Sequence, residues 1–192
     1  MANVDNVTGF SFYKNLHMDG PAQTWECVVL SAGAAVFVGD AVKLNGTGDL
    51  QGRPDVIIAA ATNTNIFGVI NHIQASGPDA LKTHDGATGR DRVVGVIPAL
   101  EGYLFQVQHE GSVNPADIAS GFDLVATGGD AVTGRSKFEL VDAGAATTGQ
   151  CTLHGFVDRP DNVSGVSGTD VAALDCVVSF QETVWNDGGV AA

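Results

Sequence analysis

The sequence predicts an all-β fold: an antiparallel β-sandwich or a small, jelly-roll-like β-barrel, with an extended N-terminal arm and at most one short helix. Three observations predict it. Short apolar runs recur along the chain, each closed by a cluster of Gly, Pro, Asn or Asp, which is the pattern of strands and turns. Glycine is abundant, 25 of 192 residues, whereas Lys and Arg together number nine, the reverse of what long helices use. No long segment carries a convincing helical period, so a parallel α/β sheet is not expected.

Residues 1–24 read as an arm. They hold Phe10, Phe12 and Tyr13, then His17-Met18-Asp19-Gly20-Pro21, without clear periodicity. Such an arm packs on its own domain or on a neighbouring subunit. Contact with a neighbour is the expectation, with deletion of 1–24 leaving the domain folded. A single β-rich domain then spans 25–184. Residues 25–30 are a compact apolar run, and 36–38 lead into a turn at Gly39-Asp40, followed by 41–44. Asn45-Gly46 predicts a hairpin turn, because both residues tolerate positive φ. Residues 56–61 form a continuous apolar strand, and Ile66–Ile73 another with Gly68 inside. Residues 74–90 are polar and glycine-rich and read as a long loop.

Residues 92–97 read as a strand containing Gly95. Tyr103–Gln108 comes close to alternation, with Gln106 and Gln108 on one face and Phe105 and Val107 opposite. Residues 114–119 read as the short helical turn, with Asn114 as its cap and Pro115 at the first position. Segments 122–126, 137–141, 152–157 and 175–182 complete the strands, with turns at Gly128-Gly129-Asp130 and 133–135. Residues 185–192 are a short glycine-bearing tail. Roughly ten short strands at this spacing fit a sandwich or barrel.

Three strands share one local pattern: Phe67-Gly68-Val69-Ile70, Val94-Gly95-Val96-Ile97 and His154-Gly155-Phe156-Val157. A strand glycine packs no side chain and costs stability, so its repeated use points to bulges or close backbone approach. The turn after the third, Asp158-Arg159-Pro160-Asp161-Asn162, reads as a structural corner rather than as a catalytic carboxylate pair.

Charge and cysteines exclude several classes. The formal net charge is −13 and the basic residues are scattered, so the chain lacks the phosphate-neutralising patch that nucleic-acid binding needs. No run approaches the roughly 18 apolar residues of a membrane span, and the N-terminus has no signal-peptide pattern. Synthesis in a host cytoplasm, without export or membrane insertion, is expected. Cys27, Cys151 and Cys176 sit in apolar runs; an odd number without a close pair predicts buried thiols rather than a disulfide framework or a zinc site.

No catalytic, cofactor-binding or metal-binding residues are expected. The metalloprotease, nucleophile-elbow and phosphate-loop signatures are absent. Asp40, Asp49, Asp123, Asp130, Asp142, Asp158 and Asp161 neighbour Gly, Pro or Asn, as turn-capping aspartates do. Residues 84–91 are the nearest approach to a calcium loop and lack its ligand pattern. His109-Glu110-Gly111 reads as an exposed turn. Phe10, Phe12, Tyr13, Trp25 and Trp185 are the candidate interface residues, and for the two tryptophans a carbohydrate-stacking platform is the alternative.

Several segments taken together carry a resemblance. They are Phe37-Val38-Gly39-Asp40-Ala41-Val42-Lys43-Leu44, Ile66-Phe67-Gly68-Val69-Ile70, Tyr103-Leu104-Phe105-Gln106-Val107-Gln108, Thr133-Gly134-Arg135-Ser136-Lys137-Phe138-Glu139-Leu140, and Gly155-Phe156-Val157-Asp158-Arg159-Pro160-Asp161-Asn162. In order and spacing the chain resembles the capsid decoration, or cement, proteins of tailed bacteriophages over residues 36–165. The resemblance implies a β-sandwich or barrel on the outer surface of the virion head. There it would bridge neighbouring major capsid proteins, associate with itself as a homo-dimer or homo-trimer, and have no catalytic residues. A neck or tail structural protein and a surface carbohydrate-binding module are the alternative readings.

Overall fold

A computed structural model describes residues 3, 5–18, 20–30, 34–60, 63–74, 84–85, 91–142, 149–166 and 168–185. The expected loop 74–90 and the tail after Trp185 lie largely outside these residues. The strands in the first half are β1 Ser11–Asn15, β2 Trp25–Val29, β3 Val36–Phe37, β4 Ala41–Gly48, β5 Pro54–Ile58, β6 Ile66–Ile73, β7 His84–Asp85 and β8 Arg92–Pro98. Then come β9 Tyr103–Gln108, β10 Ser112–Val113, β11 Gly121–Val125, β12 Glu139–Asp142, β13 Cys151–Phe156, β14 Val171–Ala172 and β15 Asp175–Phe180. One 3-10 turn, Pro115–Asp117, is the single helical element among the described residues. Its cap is as the sequence predicts: the Asn114 side chain accepts from the Ala116 N–H, and the Asp117 carboxylate accepts from the Asn114 N–H, each at 2.8 Å.

The fold is all-β, as expected, and combines a small barrel with an antiparallel sheet. Five strands close a small barrel in the order β2-β5-β4-β6-β8, with β8 returning to β2. Six others form an antiparallel sheet in the order β1-β9-β15-β13-β11-β12. Period-two alternation builds each core. In β2, Cys27 and Val29 turn into the barrel beside Val42, Val56, Phe67, Ile70, Val94 and Val96. In β9, Tyr103, Phe105 and Val107 turn towards the barrel and pack in one cluster with Ala41, Val69 and Ile97. One face of the sheet therefore covers the outside of the barrel, and each fully buried apolar side chain contributes about 1.5–3 kcal/mol.

The strand glycines act as expected, by two different means. Gly68 and Gly95 are close approaches: a Cβ would strike the Ile97 carbonyl oxygen in the first case and the His72 ring in the second. Gly155 has open space around it. All three stand beside a register shift, at Val42/Lys43 opposite Gly68, at Ile70/His72 opposite Gly95, and at Leu153/Gly155. They accompany the bulges that bend strands at barrel and sheet corners.

One expectation about the turns is corrected. Asn45-Gly46 is not the hairpin turn. It lies within β4 at an irregular stretch of the ladder between Leu44 and Gly48. Gly46 has φ +73° and the Asn45 amide donates to Asp55 at 2.7 Å. The turn falls at Asp49–Gly52, because the Asp49 carboxylate accepts from the Gln51 and Arg53 N–H groups at 3.0 and 2.9 Å, and Gly52 supplies a φ of +81°. Residues 11–15, within the expected arm, pack on their own domain, one of its two expected placements. They pair with β9 as an edge strand. Phe10, only 3% exposed, packs against Phe138 and Phe180. The register shift between Phe12 and Lys14 breaks the alternation that would have marked β1 in the sequence.

Cys27, Cys151 and Cys176 are free thiols in the core. Burial pushes Cys27 up to about 12 and holds the other two well above the ordinary thiol range. No helix among the described residues is long and apolar enough to cross a membrane.

Candidate functional site

The Asp158–Asn162 corner builds one wall of a cleft. Pro160 presets a turn closed by the Asn162 N–H donating to the Arg159 carbonyl at 3.0 Å. Buried Asn162 then ties the turn to the start of β15. Its Nδ2 donates to the carbonyls of Val157 (2.8 Å) and Asp175 (3.0 Å), and its Oδ1 accepts from the Asp175 N–H at 2.8 Å. The Arg159 guanidinium pairs with Asp175, and its Nε lies 3.4 Å from Asp161. Burial pushes the Asp175 carboxyl up, against the opposing pull of Arg159, and the Asp161 charge adds to the rise.

The cleft has a volume of about 750 Å³ and runs over the sheet face turned away from the barrel. Ser11, Gln106 and Gln108 floor it, and the turn Thr133-Gly134-Arg135 is the opposite wall. Gln108 accepts from the Asn6 N–H and donates to the Ala173 carbonyl, both at 3.2 Å. The Arg135 wall is anchored through its backbone. Asp130 N–H donates to the Arg135 carbonyl at 2.8 Å, Val38 N–H to Gly134 at 3.3 Å, and Ser136 N–H to Val38 at 2.9 Å.

Behind that wall lies Asp40, 1% exposed. Its Oδ2 accepts from the Phe37 N–H at 2.8 Å, while Oδ1 is buried with no donor in hydrogen-bonding geometry. Burial raises its carboxyl to about 6, although the Ser136 hydroxyl and the Phe37 amide favour the charged form. The sequence places Asp40 in a turn, as found, but does not reveal its burial.

The candidate interface residues separate into four settings. Phe10 is core. Phe12 is half-buried, with its ring 5.4 Å from Tyr103 and 6.2 Å from Phe105. Tyr13 is exposed on the sheet edge. Trp25 and Trp185, at opposite ends of the sequence, meet at one mouth of the barrel. Their centroids are 5.4 Å apart and their planes at 86°, with Phe67 beneath both and the Trp185 indole N–H donating to the Phe67 carbonyl at 3.1 Å. Perpendicular rings offer no shared plane on which a sugar could stack across both.

His109, read as part of an exposed turn, is buried. Its ring stands edge-on to Phe122 at 5.3 Å and its Nδ1 accepts from the Gly111 N–H at 3.0 Å. Among the described residues no group of three or more His, Cys, Asp or Glu is placed to hold a metal ion. Sequence reasoning missed Arg135, Asn162 and Gln108 as a set, because six distant segments meet to form the cleft. The turn residues Thr133-Gly134-Arg135 and the Pro160 corner were the available signals. No family model, no curated protein and no solved structure matches the chain.

Proposed function

We propose that the chain is a structural protein of a phage particle, decorating the outer surface of the capsid and stabilising it by bridging neighbouring major capsid proteins. The observation that carries the reading is a concentration of exposed large apolar side chains on one stretch of sequence. Tyr13, Leu16, Met18 and Trp25 are 44%, 58%, 62% and 48% exposed. Large apolar side chains left exposed are available for contact with other proteins. The resemblance over residues 36–165 to capsid decoration proteins supplies the partner class. Binding to the assembled lattice alone stabilises that lattice by linkage, and repetition over the shell adds avidity.

The test is a cryo-EM map with quantitative gel analysis of purified particles. The expected result is density on the head exterior, at a copy number set by capsid symmetry. Density confined to the neck or tail, at low copy number, overturns the proposal. A Tyr13→Ser, Leu16→Ser, Met18→Ser variant is expected to fold and to lose attachment.

A further inference from the structure

We propose that the cleft on the outer face of the six-stranded sheet binds an extended peptide segment, with Arg135 holding a carboxylate of that segment. The first observation is where the arginines spend their charge. With 22 acidic residues against nine Lys and Arg, an arginine on this chain has carboxylates in abundance. Arg53 takes Asp49 at 2.6 Å, and Arg159 takes Asp161 and Asp175. Arg135 lines the cleft, is exposed, and pairs with no carboxylate among the described residues. A guanidinium presents a planar fork of donors that matches a carboxylate in two-point geometry.

The second observation is the charge balance across the cleft. At the Arg159 wall one positive charge faces two negative ones, Asp161 and Asp175, leaving a net charge of −1. Among the described residues that line the other wall, Arg135 carries the one charge, with Asp40 buried behind it. The two ends are therefore opposite in sign, and an incoming carboxylate is directed to the Arg135 end. A polyanion would meet both the acidic end and the overall charge of −13, so a nucleic acid or polyphosphate is disfavoured.

Between the ends lie groups suited to a peptide backbone. Ser11 is exposed, and the Gln106 amide has only a long 3.5 Å contact with Asp175. Both can donate and accept. The walls are already fixed, one by the Asn162 clasp and the other by the backbone bonds of 134–136, so little ordering cost falls on binding. A cleft of about 750 Å³ is also far larger than a lone carboxylate requires. This assignment does not depend on the particle role, and its failure leaves that role standing.

The test is a titration of the ¹⁵N-labelled chain, followed by amide chemical shifts, with two capped heptapeptides of Gly and Ser. One carries a central Glu and the other a central Gln. The Glu peptide is expected to shift cleft amides saturably and to bind about tenfold more tightly than the Gln peptide, the size of one charge-assisted contact. Arg135→Gln should abolish that preference, Arg135→Lys should retain part of it, and Asp161→Asn should strengthen Glu-peptide binding. The Arg135 variants keep the backbone bonds that anchor their turn, and unchanged amide shifts outside the cleft verify their fold. Equal binding of the two peptides, no binding, or an unaltered preference in Arg135→Gln overturns the proposal. Free glutarate binding as tightly as the Glu peptide overturns the assignment to a peptide.

Discussion

Replacing Asp40 by Asn should make the chain's stability less sensitive to pH in one direction. The folded carboxyl titrates at about 6 against an ordinary value of 3.8. Its folded value is raised, so between these two pH values the native state binds more protons than the unfolded state. Stability from this group is therefore greatest at low pH and falls as pH rises through the window. The full cost of ionising it is ~3 kcal/mol, from 1.36 kcal/mol for each unit of displacement. About half of that, roughly 1–2 kcal/mol, is expressed between pH 5 and 7.5. That interval stays clear of the sequence pI of 4.4, where vanishing net charge promotes precipitation. An asparagine does not titrate, and any fixed cost of seating its amide is the same at both pH values. The stability of Asp40→Asn minus that of the wild type should accordingly rise by roughly 1–2 kcal/mol from pH 5 to pH 7.5. Urea unfolding followed by tryptophan fluorescence measures it, provided that the m-values agree. A difference that stays flat, or falls, between the two pH values refutes the reasoning that burial dominates at this site.

Two further outcomes follow from packing. Gly68→Ala should destabilise by roughly 1–3 kcal/mol, because its Cβ collides with the Ile97 backbone inside the barrel wall, whereas Gly155→Ala, with open space, should change stability by less than about 0.5 kcal/mol. Equal effects in urea unfolding would show that the two glycines serve one purpose. Asn162→Ala should cost roughly 2–3 kcal/mol by leaving the Asp175 N–H and the Val157 and Asp175 carbonyls without this partner, and hydrogen exchange at the Asp175 amide should accelerate.

Legibility in the sequence follows the locality of the signal. β6 and β9 are read to their end residues because an apolar run or an alternating one is bounded by turn residues on both sides. The 3-10 turn is read because its cap is contained within four residues. β1 is missed because a bulge interrupts its alternation, and the Asn45-Gly46 hairpin is misplaced because Asp49 competes with it for the turn. The division into a barrel and a sheet is set by pairings such as β1 with β9, for which no local pattern exists. Asp40 and His109 are polar residues that turn grammar assigns to the surface and tertiary packing buries. The cleft is the extreme case, since its two walls and floor are each ordinary turns and strands until folding juxtaposes them.

The N-terminal segment shows why contact and stability must be separated with care. Phe10 N–H donates to the Gly39 carbonyl at 2.9 Å, tying the segment to the barrel turn next to Asp40. Asn6 N–H reaches Gln108 on the cleft floor, and β1 then completes the sheet edge. Residues 6–15 thus strap the barrel to the sheet. Deleting 1–24 removes an edge strand and the Phe10 ring from its cluster with Phe138 and Phe180. Loss of one buried phenylalanine alone costs about 3–5 kcal/mol, a large share of the 5–15 kcal/mol that holds a typical domain together. The truncated chain is therefore expected not to stay folded, and its failure to attach would say nothing about contact. Tyr13, Leu16 and Met18 lie on the same segment with their side chains exposed. Substituting them alters the surface while leaving the strap, its hydrogen bonds and Phe10 in place, so a loss of attachment in that variant reports on contact alone.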